Sequence, residues 1–310
     1  MKRTIRGTDL TVNPIGLGTN AVGGQRLYPT INDEAGREFL KTAIDHGVDF
    51  WDTAFIYGPK RSEEIIGEVL TERKARNQIA LATKAAQKMV DGTMVVDNSP
   101  AFLQQAVKES LERLQTDYID LFYIHSPDED TPKYEAVGAL QELKEKGIIR
   151  AIGVSNFTEA QLKEANQDGY VNVVQDEYNL MNRDKEKELF PYTREHTISF
   201  VPFFPLASGL LAGKYMKDTV FPEGDLRTRK PHFQGDAYIQ NLQKVEQLRD
   251  IAEGKRVEIA NLVLAWYLTQ DAIDVIIPGV KRSEQVLDNL KTLEVTLSRD
   301  EITAIDQLFS

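Results

Sequence analysis

Four side chains in this sequence could move a proton together. Asp52 closes the apolar run Val48–Asp52, and Tyr57 follows five positions later, just ahead of Gly58. Lys84 closes Ile79-Ala80-Leu81-Ala82-Thr83-Lys84, and His125 closes Ile119-Asp120-Leu121-Phe122-Tyr123-Ile124-His125. Carbonyl reduction is the chemistry that such a set suits. A hydride arrives at carbon, an oxyanion develops, and something must protonate it. A tyrosine hydroxyl can, although its reference pKa is about 10; a nearby ammonium favours the phenolate and lowers that value. Lys84 would supply the charge and Asp52 would pair with it and hold it. His125 would donate a hydrogen bond to the substrate oxygen and orient it. Singly, each residue has an ordinary structural reading: a tyrosine packed at a loop start, a solvated lysine, a structural histidine. The argument for an enzyme lies in three of them closing short strands while the fourth follows one.

The elements that must position these residues alternate along the chain. Candidate strands are Ile15–Gly18, Val48–Asp52, Ile79–Thr83, Ile119–His125, Ala151–Ser155, Val173–Glu177, Ile198–Phe203 and Val275–Ile277. They are short and apolar on both faces, as parallel strands covered by helices are. Helical patterns separate them over Glu34–His46, Ser62–Leu70, Tyr134–Lys146, Thr158–Asn166, Lys185–His196, Val257–Thr269, Ser283–Leu293 and Arg299–Leu308, and a further helix opens at Ser99-Pro100 with proline at its first position. A hairpin of Thr4–Arg6 and Leu10–Val12 precedes them all. Eight such units predict a single α/β domain over 1–310, a (β/α)8 TIM barrel with an N-terminal hairpin and extra C-terminal helices; an open sheet of eight strands is the alternative. A barrel brings the strand ends to one mouth, where Asp52, Lys84 and His125 can meet, whereas strands two and four of an open sheet are usually too far apart. The longest gap between strands, Phe204 to Asp274, contains the helix-poor stretch Ala207–Asp236.

The bulk numbers narrow the class. The chain has 310 residues, 41% hydrophobic and 27% charged, which is ordinary globular composition. A net charge of −11 argues against general binding to nucleic acid or an anionic membrane. Without cysteine there is no disulfide scaffold and no thiolate zinc site. No run approaches the roughly 20 apolar residues of a membrane span, and no secretory h-region follows Met1, so a cytoplasmic protein is expected. A Rossmann turn fails because Ala21 stands where Gly-x-Gly-x-x-Gly needs its third glycine. A phosphate-binding loop fails because Gly24-Gln25 replaces its Lys-Ser/Thr pair. The four histidines, His46, His125, His196 and His232, show no paired spacing, which disfavours a metal hydrolase.

Asp52-Thr53-Ala54 with Tyr57-Gly58, Thr83-Lys84, Asp117–His125 and Gly153-Val154-Ser155-Asn156-Phe157 resemble the aldo-keto reductase superfamily over nearly the whole chain, from Gly16-Leu17-Gly18 to the last helices. The chain looks most like the bacterial branch associated with inositol-utilisation operons, itself similar to potassium-channel β subunits. The resemblance implies a (β/α)8 barrel that binds NADPH, a tetrad of Asp52, Tyr57, Lys84 and His125, and tyrosine as general acid. It places Ser155, Asn156 and Gln175 on the nicotinamide carboxamide, and Gly18, Thr19, Asn20 and Asp52 near the cofactor. Phe203 stands where the family commonly stacks a tyrosine on the nicotinamide. Pro205, Leu206, Ser208, Gly209 and Lys214 fall in a pyrophosphate belt; Gly279, Lys281, Arg282, Gln285, Asp288 and Asn289 fall at the adenosine end. Lys281-Arg282 at a helix start suits a ribose 2′-phosphate. The implied partner is a small carbonyl or polyol, with no nucleic acid or membrane, acting on a monomer or weak homo-oligomer. The substrate pocket is expected to be shaped by Asn20–Tyr28, Phe55, Gln87–Asp97, Ser126–Thr131 and the loop after Phe203. With Ser310 directly after the last helix, an open mouth with room for bulky or sugar-like carbonyls is expected. The alternative function is a cofactor-binding regulatory subunit with little turnover.

Overall fold

Seven short parallel strands lie side by side in the computed structural model, which describes residues 2–24 and 32–310. In sheet order they are Leu17–Gly18, Phe50–Asp52, Ala80–Ala85, Ile119–Ile124, Ile149–Ser155, Val173–Glu177 and Ser199–Phe203. The eighth stretch is too irregular to form a full strand, yet it closes the ring. Ile276 bridges Ile15 and Gly279 bridges Gly18, while the Phe200 amide donates to the Ala272 carbonyl at 2.9 Å on the other side. The molecule is a (β/α)8 barrel.

The strand pattern produces two cores. Inward residues Phe50, Ala82, Leu121, Tyr123, Ala151, Val173, Val201, Val275 and Ile277 form a cluster inside the barrel. Their outward neighbours, among them Trp51, Leu81, Phe122, Ile152 and Val174, join the larger core under the helices. The N-terminal hairpin, Arg3–Thr4 paired with Thr11–Val12, adds buried Ile5, Leu10 and Val12 to the interior cluster and so plugs the barrel.

Several expected helices form as the sequence indicates. Ser99 caps Pro100–Leu114 by accepting from the Phe102 amide, and Thr158 and Ser298 each close a capping box with a side chain three residues on, Gln161 and Glu301. Others depart from expectation. The helix expected over Lys185–His196 is two, Lys185–Glu188 and Phe190–Glu195, because Pro191 has no N–H for the carbonyl four residues back. The expected Ser283–Leu293 helix ends at Leu290 and continues as a 3-10 turn over Lys291–Glu294. Three 3-10 turns occupy the helix-poor stretch, and Gly235–Lys255, not anticipated from the sequence, is a helix of 21 residues. A hairpin, Gln87–Val90 with Thr93–Val96, stands on the end of the third strand. Of the stretch expected to line the substrate pocket, 25–28 lies outside the described residues. No helix among the described residues is long and apolar enough to cross a membrane.

Candidate active site

Register delivers the four residues to one end of the barrel. Asp52 pairs across the sheet with Ala82, Lys84 with Tyr123, and Tyr123 with Gly153. Asp52 and Lys84 are each the last inward-facing residue of their strands, so their side chains meet over the interior cluster. Tyr57 enters from the turn after the second strand, where Gly58 takes a positive φ of 66° before the helix Arg61–Arg73 begins. That helix is tied to the third strand from behind: Thr83 donates to Glu63 at 2.6 Å, and Arg113 donates to the other Glu63 oxygen at 2.6 Å.

Lys84 is wholly buried, and its ammonium donates to Asp52 Oδ1 and, at 2.8 Å, to the Thr53 carbonyl. Burial alone would push the lysine toward its neutral form. Asp52 and Tyr57 more than offset that, and its pKa is raised above the ordinary lysine value. Asp52 is held on its second oxygen by Gln175 Nε2 at 2.9 Å. The Lys84 nitrogen lies 5.3 Å from the centre of the Tyr57 ring. The Tyr57 and His125 rings stand edge to face, 6.3 Å apart at 88°.

His125 shows part of an edge at the mouth, yet protein crowds most of the ring. Burial first, and the Lys84 charge second, lower its pKa to about 3. It is therefore a neutral imidazole at physiological pH, a hydrogen-bond donor through one nitrogen only. Its Nδ1 is buried without a hydrogen-bond partner among the described residues. A carbonyl oxygen placed between Tyr57 and His125 would meet one phenol and one neutral imidazole, backed by a buried cation. No group of three or more metal-ligating side chains occurs among the described residues.

The remaining expected site residues fall into two groups. Ser155 and Asn156 do sit together at the mouth, where the Asn156 amide donates to the Ser155 hydroxyl and to the His125 carbonyl, both at 3.0 Å. Asn156 takes a positive φ of 61° that turns it toward the opening. Phe203 ends the seventh strand, partly exposed, against Phe204. After it come Pro205 and Leu206 and then three successive positive φ values, at Ala207 (46°), Ser208 (56°) and Gly209 (92°). Left-handed geometry at non-glycine residues is costly, so this bend is held against its own preference, as binding loops often are. Tyr215 secures it by donating to the Ser208 carbonyl at 3.0 Å, with exposed Lys214 beside it. At the eighth strand, Asn20 lies against Gly279. Gln285 accepts from the Lys281 amide at 2.8 Å, Asp288 pairs with Lys291, and Asn289 lies in the same helix.

The other group is engaged with neighbouring protein groups. Thr19 is fully buried and donates to the Asp52 carbonyl at 2.9 Å, bracing the carboxylate's strand. Gly18 lets the ring close: a Cβ there would stand 2.8 Å from the Ile277 carbonyl. The Gln175 amide is engaged with Asp52, and Arg282 faces Glu284 at 3.5 Å. The sequence reading missed two features. Tyr123 shares the inward row with His125, two residues on, and that alternation could have marked it. Asp225 and Arg227, from the long connection, come alongside Lys281: burial lowers the lysine's pKa and the Arg227 charge adds to that. No local pattern signals this meeting.

The sequence matches the Aldo/keto reductase family over residues 14–309. The NADP(+) aldo-keto reductase yakc of Schizosaccharomyces pombe (strain 972 / ATCC 24843) is 34% identical over 293 residues, 93% of this chain and 86% of that protein. The NADH-specific methylglyoxal reductase of Escherichia coli (strain K12) is 32% identical over 318 residues, 97% of this chain and 96% of that protein. Among solved structures, the glycerol dehydrogenase AKR11B4 from Gluconobacter oxydans has a TM-score of 0.92 at 32% identity, covering 99% of this chain and 94% of that one.

Proposed function

The chain belongs to the aldo/keto reductase family, and from that premise we propose that it reduces aldehydes or ketones with NADPH, Tyr57 delivering the proton. The observation that carries the reading is the buried Lys84–Asp52 pair set against Tyr57, with neutral His125 beside it. When bound, the nicotinamide supplies the hydride. This chain's residues do the rest. His125 donates to the substrate oxygen and fixes its direction. Tyr57 releases its proton to that oxygen as negative charge develops there. Lys84 stabilises the phenolate left behind, and Asp52, tethered by Gln175, keeps the ammonium in place.

The chain's own geometry suits a dinucleotide. The strained bend at Ala207–Gly209 offers a backbone cradle of the kind phosphates occupy. Ser155 and Asn156 offer hydroxyl and amide groups for a carboxamide, and Phe203 offers an aromatic face. Gly279, Gln285, Asp288 and Asn289 would border the adenosine. The two named relatives differ in cofactor, so the preference for NADPH rests on this chain's cations. Lys281, with Arg227 beside it and Arg282 next in sequence, would meet a 2′-phosphate that NADH lacks. A panel of aldehydes and ketones followed by NADPH absorbance tests the reading. Turnover that disappears in Tyr57→Phe supports it. Tight cofactor binding with no turnover on any carbonyl would mean a cofactor-binding subunit instead.

A further inference from the structure

Tyr123 has no part in the proton transfer just described, yet it lies in the middle of its machinery. It is fully buried in the interior cluster, directly across the sheet from Lys84. Its ring occupies a notch that only glycine can leave, since a Cβ on Gly153 would stand 2.2 Å from Tyr123 Cδ1 and 2.5 Å from Cε1. The Lys84 nitrogen lies over this ring, 5.5 Å from its centre, and over the Tyr57 ring at 5.3 Å. Both distances are within the range at which the negative face of an aromatic ring attracts an ammonium, and the attraction is strongest where water is excluded. The Tyr123 hydroxyl, by contrast, feels Gln175 but makes no well-formed hydrogen bond among the described residues. Burial, with Asp52 and Tyr57 adding to it and Gln175 partly opposing, holds its pKa well above the ordinary tyrosine value, so it stays a neutral phenol. What Tyr123 offers the site is therefore its ring.

We propose that Tyr123 is a positioning residue for the reduction: seated in the Gly153 notch, its ring holds the Lys84 ammonium by a cation–π contact from the barrel interior and so keeps that charge aimed at Tyr57. Asp52 holds the ammonium from the second strand, and the Thr53 carbonyl holds it from the turn that follows. Those two contacts fix one side, and the two aromatic faces fix its distance from the proton donor. The inference rests on carbonyl reduction as the activity.

The test varies the ring's charge distribution at constant shape. Phenylalanines bearing one to five ring fluorines are installed at position 123, alongside Tyr123→Phe and Tyr123→Leu. Tyr123→Phe, which keeps the ring, is expected to retain most of the rate. Progressive fluorination is expected to lower kcat by a total of about 2- to 30-fold, with cofactor affinity and KM nearly constant. The same series is expected to raise the unfolding equilibrium constant in denaturant by a similar factor, and that effect should vanish when Lys84→Met is added. A series with flat kcat overturns the proposal, as does a fluorine effect on unfolding that persists without the Lys84 ammonium. Because unfolding is read without turnover, a wild-type protein inactive on every carbonyl would remove the reductase reading while leaving the Tyr123–Lys84 contact measurable. Should Tyr123→Leu fail to fold, the fluorinated series decides alone.

Discussion

Replacing Lys84 by methionine tests stability and chemistry at once, because one buried ammonium serves both. Methionine keeps a flexible stem of similar length, so the cavity is small. The charge is not replaced. Asp52 then stays buried with only the Gln175 amide at 2.9 Å, and the Thr53 carbonyl loses its donor. Breaking a buried pair from one side costs about 3–5 kcal/mol, or on the order of 6–10 °C in Tm for a domain of this size. The pH dependence has a definite sign. An unpaired buried carboxylate prefers its proton, so its folded pKa lies above the unfolded value. The deficit is then absent well below the unfolded carboxylate pKa and fully present above the raised folded one. Melting wild type and Lys84→Met at pH 4.5 and pH 7.5 should show the gap widening with pH, and adding Asp52→Asn should close it. For the chemistry, 5.3 Å from the lysine nitrogen to the Tyr57 ring centre serves as the separation. At an effective dielectric of about 20, the attraction to a phenolate is about 3 kcal/mol, equivalent to roughly two pH units. Reduction needs the protonated phenol and is lost as pH rises through its ionisation, so the alkaline limb of kcat should move upward by one to two units, on the order of that estimate. Turnover at pH 7 should fall, because the donor has become a weaker acid. A variant that melts like wild type at pH 7.5 and keeps an unchanged pH–rate profile would refute both halves of the reasoning.

Tyr57→Phe should lower carbonyl reduction by about 100- to 10,000-fold while leaving cofactor binding near wild type; retention of half the turnover would mean that the proton comes from elsewhere. Fluorescence titration should show NADPH binding more tightly than NADH by on the order of 1.5–3 kcal/mol, and Lys281→Ala with Arg282→Ala should erase most of that difference; equal affinities in wild type would remove the phosphate from this corner. His125 has a folded pKa of about 3 against an ordinary 6.5, so the stability it confers is present above about pH 6.5 and drains away as pH falls toward 3. In His125→Gln, the urea midpoint should fall less between pH 7 and pH 5 than in wild type, and parallel losses in both proteins would count against a buried neutral imidazole.

Much of the barrel could be read locally. Strands such as Ile119–Ile124 are apolar on both faces because helices cover one side and the interior core the other, and the run announces itself without its neighbours. Residues that close those runs necessarily lie at one end of the barrel, so Asp52, Lys84 and His125 were legible as soon as the strands were, and Tyr57 as soon as its turn was. The elements that the sequence hid lack such a signal. Gly235–Lys255 fully buries Tyr238, Val245, Leu248 and Ala252 and half-buries Ile239, Leu242 and Ile251, but polar residues are interspersed among them, so its apolar stripe is weakly marked. The eighth strand, expected over Val275–Ile277, was legible as an apolar run, but its pairing is reduced to isolated bridges, Ile276 with Ile15 and Gly279 with Gly18. Partnerships inside the site depend on register and closure rather than on spacing. Gln175 reaches Asp52 from 123 residues away, and Thr19 reaches the carbonyl of the same residue from the end of the neighbouring first strand. Asp225 and Arg227 reach Lys281 only because a long connection folds back over the eighth strand. Composition and periodicity constrain a residue's own backbone and exposure, whereas the identity of its neighbour across a closed sheet is set by the whole chain. So the sequence by itself determined which side chains stand at the mouth, and the tertiary structure decided which of them hold one another in place.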